Sequence, residues 1–151
     1  MSKIDIAAVP ARKGTGYPPP FDAPCAERVR QRLGNAGGLT DYGVNLMRLP
    51  PGNWSSQRHW HSAEDEFMYV LSGQVVLVTD EGEQVLRAGE CAAFPANSPN
   101  GHHLINKGDA MAIVLEVGGR VATDCAEYPD IDMVYAAASD AYLHKDGTPY
   151  R

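Results

Sequence analysis

The sequence predicts an all-β domain, a sandwich or barrel of short antiparallel strands. Three observations carry this: short alternating apolar runs recur between residues 40 and 118, tight glycine-bearing turns separate them, and no long helical pattern interrupts them. The runs are "YGVNLMRL" (42–49), "EFMYVLSG" (66–73), "QVVLVTD" (74–80), "EQVLR" (83–87), "CAAF" (91–94), "HHLIN" (102–106) and "AMAIVLEV" (110–117). Between them stand "LSG", "DEGE", "RAGE" and "NKGD", which are turn signals. Evenly spaced strands of this length build sandwiches or barrels.

The two ends differ from this middle, so the chain divides into an arm (1–41), a barrel (42–118) and a tail (119–151). Residues 10–24, "PARKGTGYPPPFDAP", hold too many prolines for regular structure and are expected to lie extended over the surface. In "RVRQRLG" (28–34), Asp22 and Pro24 before it and Gly34 at its end would suit a short helix. Arg28, Arg30 and Arg32 also alternate with Val29, Gln31 and Leu33 as in an edge strand, and the strand is preferred. The tail, with "YPDID" and "HKDGTPY", reads as an ordered arm packed on the barrel.

With 151 residues the chain is about one domain long. A net charge of −6 leaves no basic surface for a phosphate backbone, which argues against a nucleic-acid partner. No apolar run is long enough to cross a bilayer, and "MSKIDIAAVPARKG" lacks the apolar core of a signal peptide. No membrane partner is expected, and a cytoplasmic location is the default. Cys25, Cys91 and Cys125 are odd in number and lack a CxxC spacing. They read as small buried or half-buried residues, neither a disulfide framework nor a zinc cluster.

The chemistry concentrates in "RHWHSAEDEF" (58–67) and "HHLIN" (102–106), which hold four of the five histidines. In an extended strand His59 and His61 share one face with Ser55 and Gln57, while Trp54, Arg58 and Trp60 face the other way. A short turn through Ser62 to Asp65 would bring the next strand alongside, with Glu66 entering the same space. A histidine pair at i and i+2, a carboxylate and a further histidine form a donor set suited to a first-row divalent metal.

These stretches resemble the cupin family. Gly52, His59, His61, Glu66 and Gly73 fall into the family's first motif, with one extra residue before His59. Gly89 and Pro95 match the second motif, but Asn97 replaces a glycine and Asn100 a histidine; His102 and Asn106 supply its His-x-x-x-Asn ending two residues late. The resemblance covers roughly residues 42–118 and implies a double-stranded β-helix, or jelly roll, with His59, His61, Glu66 and His102 as metal ligands. It places Glu66 above its rival Glu64, because Glu66 keeps the six-residue spacing to Gly73; Glu64 and Asp65 then read as solvated turn residues. The third histidine falls on His102 and not His103, unless a bulge swaps the strand faces. Arm and tail also look like those of small bacterial cupins that carry the label sugar-phosphate isomerase.

Iron, manganese, nickel, cobalt and zinc all suit such a set, and a six-coordinate ion would keep two positions open. A metal-dependent isomerase, epimerase or dioxygenase acting on a small polar molecule follows, with a non-catalytic binding or sensing module as the alternative, since fold alone does not choose. Met68, on the face of Glu66, lines the barrel wall as core or as substrate contact. Asn45 and Gln57 are polar strand residues placed to touch a ligand. Glu116, in an apolar strand, is expected to pair with Arg48 or Arg120; Glu116, Gln57, Asn45 and His103 are the available acid–base groups. His144 belongs to the surface. Trp54 and Trp60 on the outer face, with the "VRQRL" segment, point to a subunit contact or to cover by the arm, and to a closed homodimer.

Overall fold

The alternating runs form the strands expected of them. The structure, a computed structural model, describes residues 3–150. In chain order its strands are β1 (Ala11–Lys13), β2 (Val29–Arg32), β3 (Tyr42–Leu49), β4 (Trp60–His61), β5 (Glu66–Ser72), β6 (Gln74–Thr79), β7 (Gly82–Arg87), β8 (Cys91–Phe94), β9 (His103–Ile105), β10 (Ala112–Gly119), β11 (Cys125–Tyr128), β12 (Met133–Ala136) and β13 (Ala141–Leu143). One short helix, α1 (Leu33–Ala36), follows β2.

Three antiparallel sheets result, ordered β1-β2-β3-β10-β5-β8, β7-β6-β9 and β13-β12-β11-β4. The first two face each other across a core of Met47, Leu49, Met68, Val70, Val75, Leu77, Leu104 and Val114. Period-two alternation selects these side chains: in β10, Ala112, Val114 and Glu116 are buried while Ile113, Leu115 and Val117 face out half-covered. Register then stacks the interior in rows. Arg30, Met47, Val114 and Val70 stand side by side, and one row nearer the mouth come Arg32, Asn45, Glu116 and Met68.

Arm and tail form a second apolar cluster on the flank of the barrel, built from Tyr17, Cys25, Ala126, Tyr128 and Met133. The arm is therefore not merely extended: Tyr17 and Cys25 are buried, and residues 23–25 make a 3-10 turn. The tail is ordered as two hairpin connections, β11 to β12 and β12 to β13. No helix among the described residues is long and apolar enough to span a membrane.

Several expectations are corrected here. β2 is a strand, but β1 and β3 flank it on both sides, so it offers no free edge. Of the two places expected for Trp54, the structure shows cover by the arm: it packs against the arm–tail cluster and donates its backbone N–H to the Pro24 carbonyl. Trp60 is half-buried and borders a cavity of about 230 Å³. β4 pairs with β11 of the tail and not with β5. Cys91 is exposed, whereas Cys25 is buried and Cys125 intermediate.

Candidate metal centre

Three local devices aim the histidines at one point. His59 and His102 lie opposite each other in an isolated bridge, each backbone N–H donating to the other's carbonyl at 3.1 and 2.8 Å. His61 is fixed by the β4–β11 pairing, where it faces Ala126. Glu66 opens β5 and stands between Phe94 on β8 and Gly118 on β10.

Hydrogen bonds on the far side of two rings settle which nitrogen points inward. The Nδ1–H of His59 donates to the Gln57 carbonyl at 2.8 Å, and that of His61 donates to Asp124 Oδ2 at 2.6 Å. Their Nε2 atoms are each 3.5 Å from a Glu66 carboxylate oxygen. His102 Nε2 approaches Glu66 Oε2 to 2.8 Å, and its ring lies flat on Phe94 at 3.6 Å. The inward nitrogens of His59 and His61 and the Glu66 oxygen all lie within 4.8 Å of one another.

Glu66 Oε2 and both ring nitrogens of His102 are buried and make no geometrically sound hydrogen bond, although His102 Nε2 and Glu66 Oε2 are close. Buried polar atoms without a partner are costly and rare. Two such atoms meeting at one point, beside two further imidazole nitrogens, fit a divalent cation of the first transition row. A second carboxylate-rich grouping, His61, Glu64 and Asp124, shares His61, but there the nearby imidazole atom is Nδ1, already engaged by Asp124.

The electrostatics of the metal-free protein follow from the same contacts. Burial works against a charge on His61, but Glu66 and Asp124 outweigh it and push the imidazolium up to about 9. Burial would raise Glu66, yet His102, His59 and His61 hold its carboxyl well below the usual range. Burial is the largest influence on His102 and leaves it below the ordinary histidine value.

The structure therefore brings His59, His61, Glu66 and His102 together. It sends His103 elsewhere: that ring is buried, bonds the Ser56 carbonyl through Nδ1 at 2.9 Å and packs on Trp54. Asn45 and Met68 line a cavity of about 400 Å³ beside the histidines, together with Glu116, Arg30, Tyr17 and Ser56. Gln57 does not line it. Residues 55–58 bend and do not run as a strand, so period two fails; Ser56 faces the cavity, and the Gln57 amide donates to the Phe21 carbonyl.

Glu116 pairs with neither expected arginine. Arg30 grips it with two bonds of 2.6 Å, while Arg48 bonds Gln31 and Arg120 reaches the Leu39 carbonyl and Asn35. Glu64 is not a solvated turn residue either: it is half-buried, lines the cavity and accepts the Val121 N–H at 2.7 Å. Burial raises its carboxyl above the ordinary value. Asp65 is exposed and accepts the Ala96 N–H. His144 is on the surface beside Asp132, as expected.

Sequence reasoning missed Asp124 and Tyr17. Asp124 is buried and also accepts the Ala63 N–H at 2.8 Å, so the tail locks the loop after His61. No spacing rule links a tail aspartate to a histidine in another strand. Tyr17 sits in the proline-rich arm, where no periodicity marks an inward residue.

Comparison with known proteins identifies the fold and the family. The family described as Cupin domain matches residues 45–118. A crystal structure from Silicibacter pomeroyi, described as a sugar phosphate isomerase from a cupin superfamily, is 46% identical over 99% of this chain and 97% of its own, with a TM-score of 0.93. A structure from Acidithiobacillus ferrooxidans is 27% identical over 83% of this chain and 81% of its own, at a TM-score of 0.74. A Thermotoga maritima structure, 20% identical with a TM-score of 0.61 and covering 80% of this chain and 100% of its own, shares the fold alone. No curated protein matches the chain. Motif spacing, barrel topology and a near full-length relative agree: the chain belongs to the cupin family.

Proposed function

We propose that this cupin is a metal-dependent isomerase of a small phosphorylated sugar or similar polyol, with His59, His61, Glu66 and His102 as ligands to one divalent ion. The observation that carries it is the buried meeting of His102 Nε2 and Glu66 Oε2, both without hydrogen-bond partners, in a polar barrel cavity. The Silicibacter relative supports the substrate class. An ion held by these residues would supply Lewis-acid stabilisation for negative charge developing on a substrate oxygen.

The chain's own residues divide the remaining work. Asn45 stands across from Glu116 in the cavity row and offers an amide to substrate hydroxyls; Met68, on the other side of Glu116, gives that row an apolar edge. Glu116 is spoken for by Arg30. Glu64 is the cavity carboxyl left outside both that ion pair and the ligand set, and its place on the cavity wall suits moving a proton between neighbouring substrate carbons. Elemental analysis of protein purified without added metal tests the ligand set, with one ion per chain expected. Solvent deuterium incorporated next to the substrate carbonyl tests the reaction. Glu64→Gln keeps an oxygen for the Val121 N–H and is expected to retain the metal while slowing exchange by roughly 100-fold or more. Unchanged exchange in that variant removes Glu64 from the reaction.

A closed homodimer is part of the same proposal. The outward face of the six-stranded sheet carries Phe67, Leu71 and Val117, and Phe67 and Leu71 remain 38% and 48% exposed. A contiguous apolar sheet face is the kind of surface a second copy covers. Light scattering at micromolar concentration is expected to give the dimer mass, and Phe67→Asp with Leu71→Asp to give the monomer. A monomeric wild-type chain overturns it.

A further inference from the structure

The arginine alternation that runs from Arg28 through β2 is used by the barrel only at Arg30, which holds Glu116. Arg28, Arg30 and Arg32 lie two residues apart and so share one face, and β1 places Arg12 directly across from Arg30. That face is the barrel-interior side of the sheet, carried beyond the barrel wall. The four guanidinium groups line a cleft of about 610 Å³ between β1–β2 and the tail hairpin, closed on the far side by Tyr135 and Tyr142. Arg30 and Arg32 also line the 400 Å³ barrel cavity, so the two spaces share a wall.

The charges do not balance. Of the four arginines, only Arg30 has a carboxylate partner among the described residues, namely Glu116. Arg28 is buried, and its guanidinium bonds only the carbonyls of Gly14 and Ser55. Burial and the neighbouring Arg30 both work against its charge. The side chains of Arg12 and Arg32 make no hydrogen bond or ion pair among the described residues. The one acidic group lining the cleft, Asp140, accepts the Tyr135 hydroxyl at 2.6 Å. Four cations against Glu116 and Asp140 leave a surplus of two positive charges in a chain whose net charge is −6. Collecting them in one cleft costs electrostatic energy that an anion would recover.

We propose that this cleft is the subsite for the phosphate group of the substrate, held by Arg12, Arg28 and Arg32 while the rest of the molecule enters the barrel past Arg30. A phosphate monoester carries close to two negative charges and several acceptor oxygens, which match the surplus and the forked donors. The inference rests on the isomerase reading for the substrate's identity, but the subsite is testable without turnover.

Isothermal titration of the wild-type protein with inorganic phosphate is expected to show one saturable site per chain. Sodium chloride at matched ionic strength is expected to produce no comparable thermal shift. Arg12→Gln with Arg32→Gln removes two unpartnered charges without touching the core, and phosphate affinity is expected to fall about tenfold or more. Lys13→Gln, an exposed cation outside the cleft, is expected to leave it unchanged. Circular dichroism and metal content of the double variant should equal those of the wild type. A sugar phosphate should displace inorganic phosphate where the free sugar does not. Absence of saturable phosphate binding, or equal affinity in the double variant, overturns the subsite. Failure of metal loading with phosphate binding intact overturns the enzyme reading and leaves the subsite standing.

Discussion

Replacing His61 with alanine is expected to abolish stoichiometric metal and to lower the melting temperature of the loaded protein by several degrees. Loss of a partner that only orients a ligand already weakens metal binding about 10–100-fold, so loss of a ligand should exceed that. The stability conferred by the ion disappears with it, because a ligand that binds only the native state raises its melting temperature. His59→Ala, His102→Ala and Glu66→Gln are expected to behave alike. His103→Ala is the contrast: its imidazole bonds Ser56 and packs on Trp54, so it should keep the metal and lose only packing. Inductively coupled plasma analysis of the purified variants decides. Metal lost from His103→Ala but kept by His102→Ala would exchange the roles of the two.

Gly73→Ala is expected to destabilise the fold by about 2–4 kcal/mol, among the largest single-methyl effects in the chain. Gly73 has φ +75°, a conformation that L side chains rarely adopt. A Cβ there would also sit 2.8 Å from the Met111 backbone oxygen and 3.1 Å from Ala112 Cα. Neither obstacle is the end of a flexible side chain, so the β5–β6 turn would have to move away from β10. Gly52 and Gly89 also have positive φ, but the space around them is open; alanine there is expected to cost about 1 kcal/mol. Chemical denaturation of the three variants ranks them, and equal midpoints would remove the steric account.

The barrel strands were readable because each buries one face and leaves the other partly open, so period two is written into residues 42–119. The choice of His59, His61, Glu66 and His102 came from the resemblance to the family's two motifs and not from strand period alone, since His59 and His102 meet in an isolated bridge outside strands β1 to β13. Gln57 was misplaced for the opposite reason: no ladder holds residues 55–58, and alternation has no force outside a strand. Glu116 was matched to the wrong arginine because sequence does not state which strand lies beyond β3. β2 takes that place and brings Arg30 within reach. Asp124 depends on a contact between the tail and a two-residue strand, which no local pattern encodes.

That last contact orders events in time. The side chain that orients His61 lies 63 residues further along the chain, and the strand that flanks it is made later still. Closing so long a loop is slow compared with forming the hairpins within residues 66–94. When β3 to β10 have been synthesised, His59, His102 and Glu66 can already meet, whereas His61 still lacks the strand that holds it. The fourth donor is set only when β11 docks. On the proposed ligand set the four donors are complete only after the tail has docked, so metal added to refolding protein is expected to bind no earlier than β11 pairs with β4.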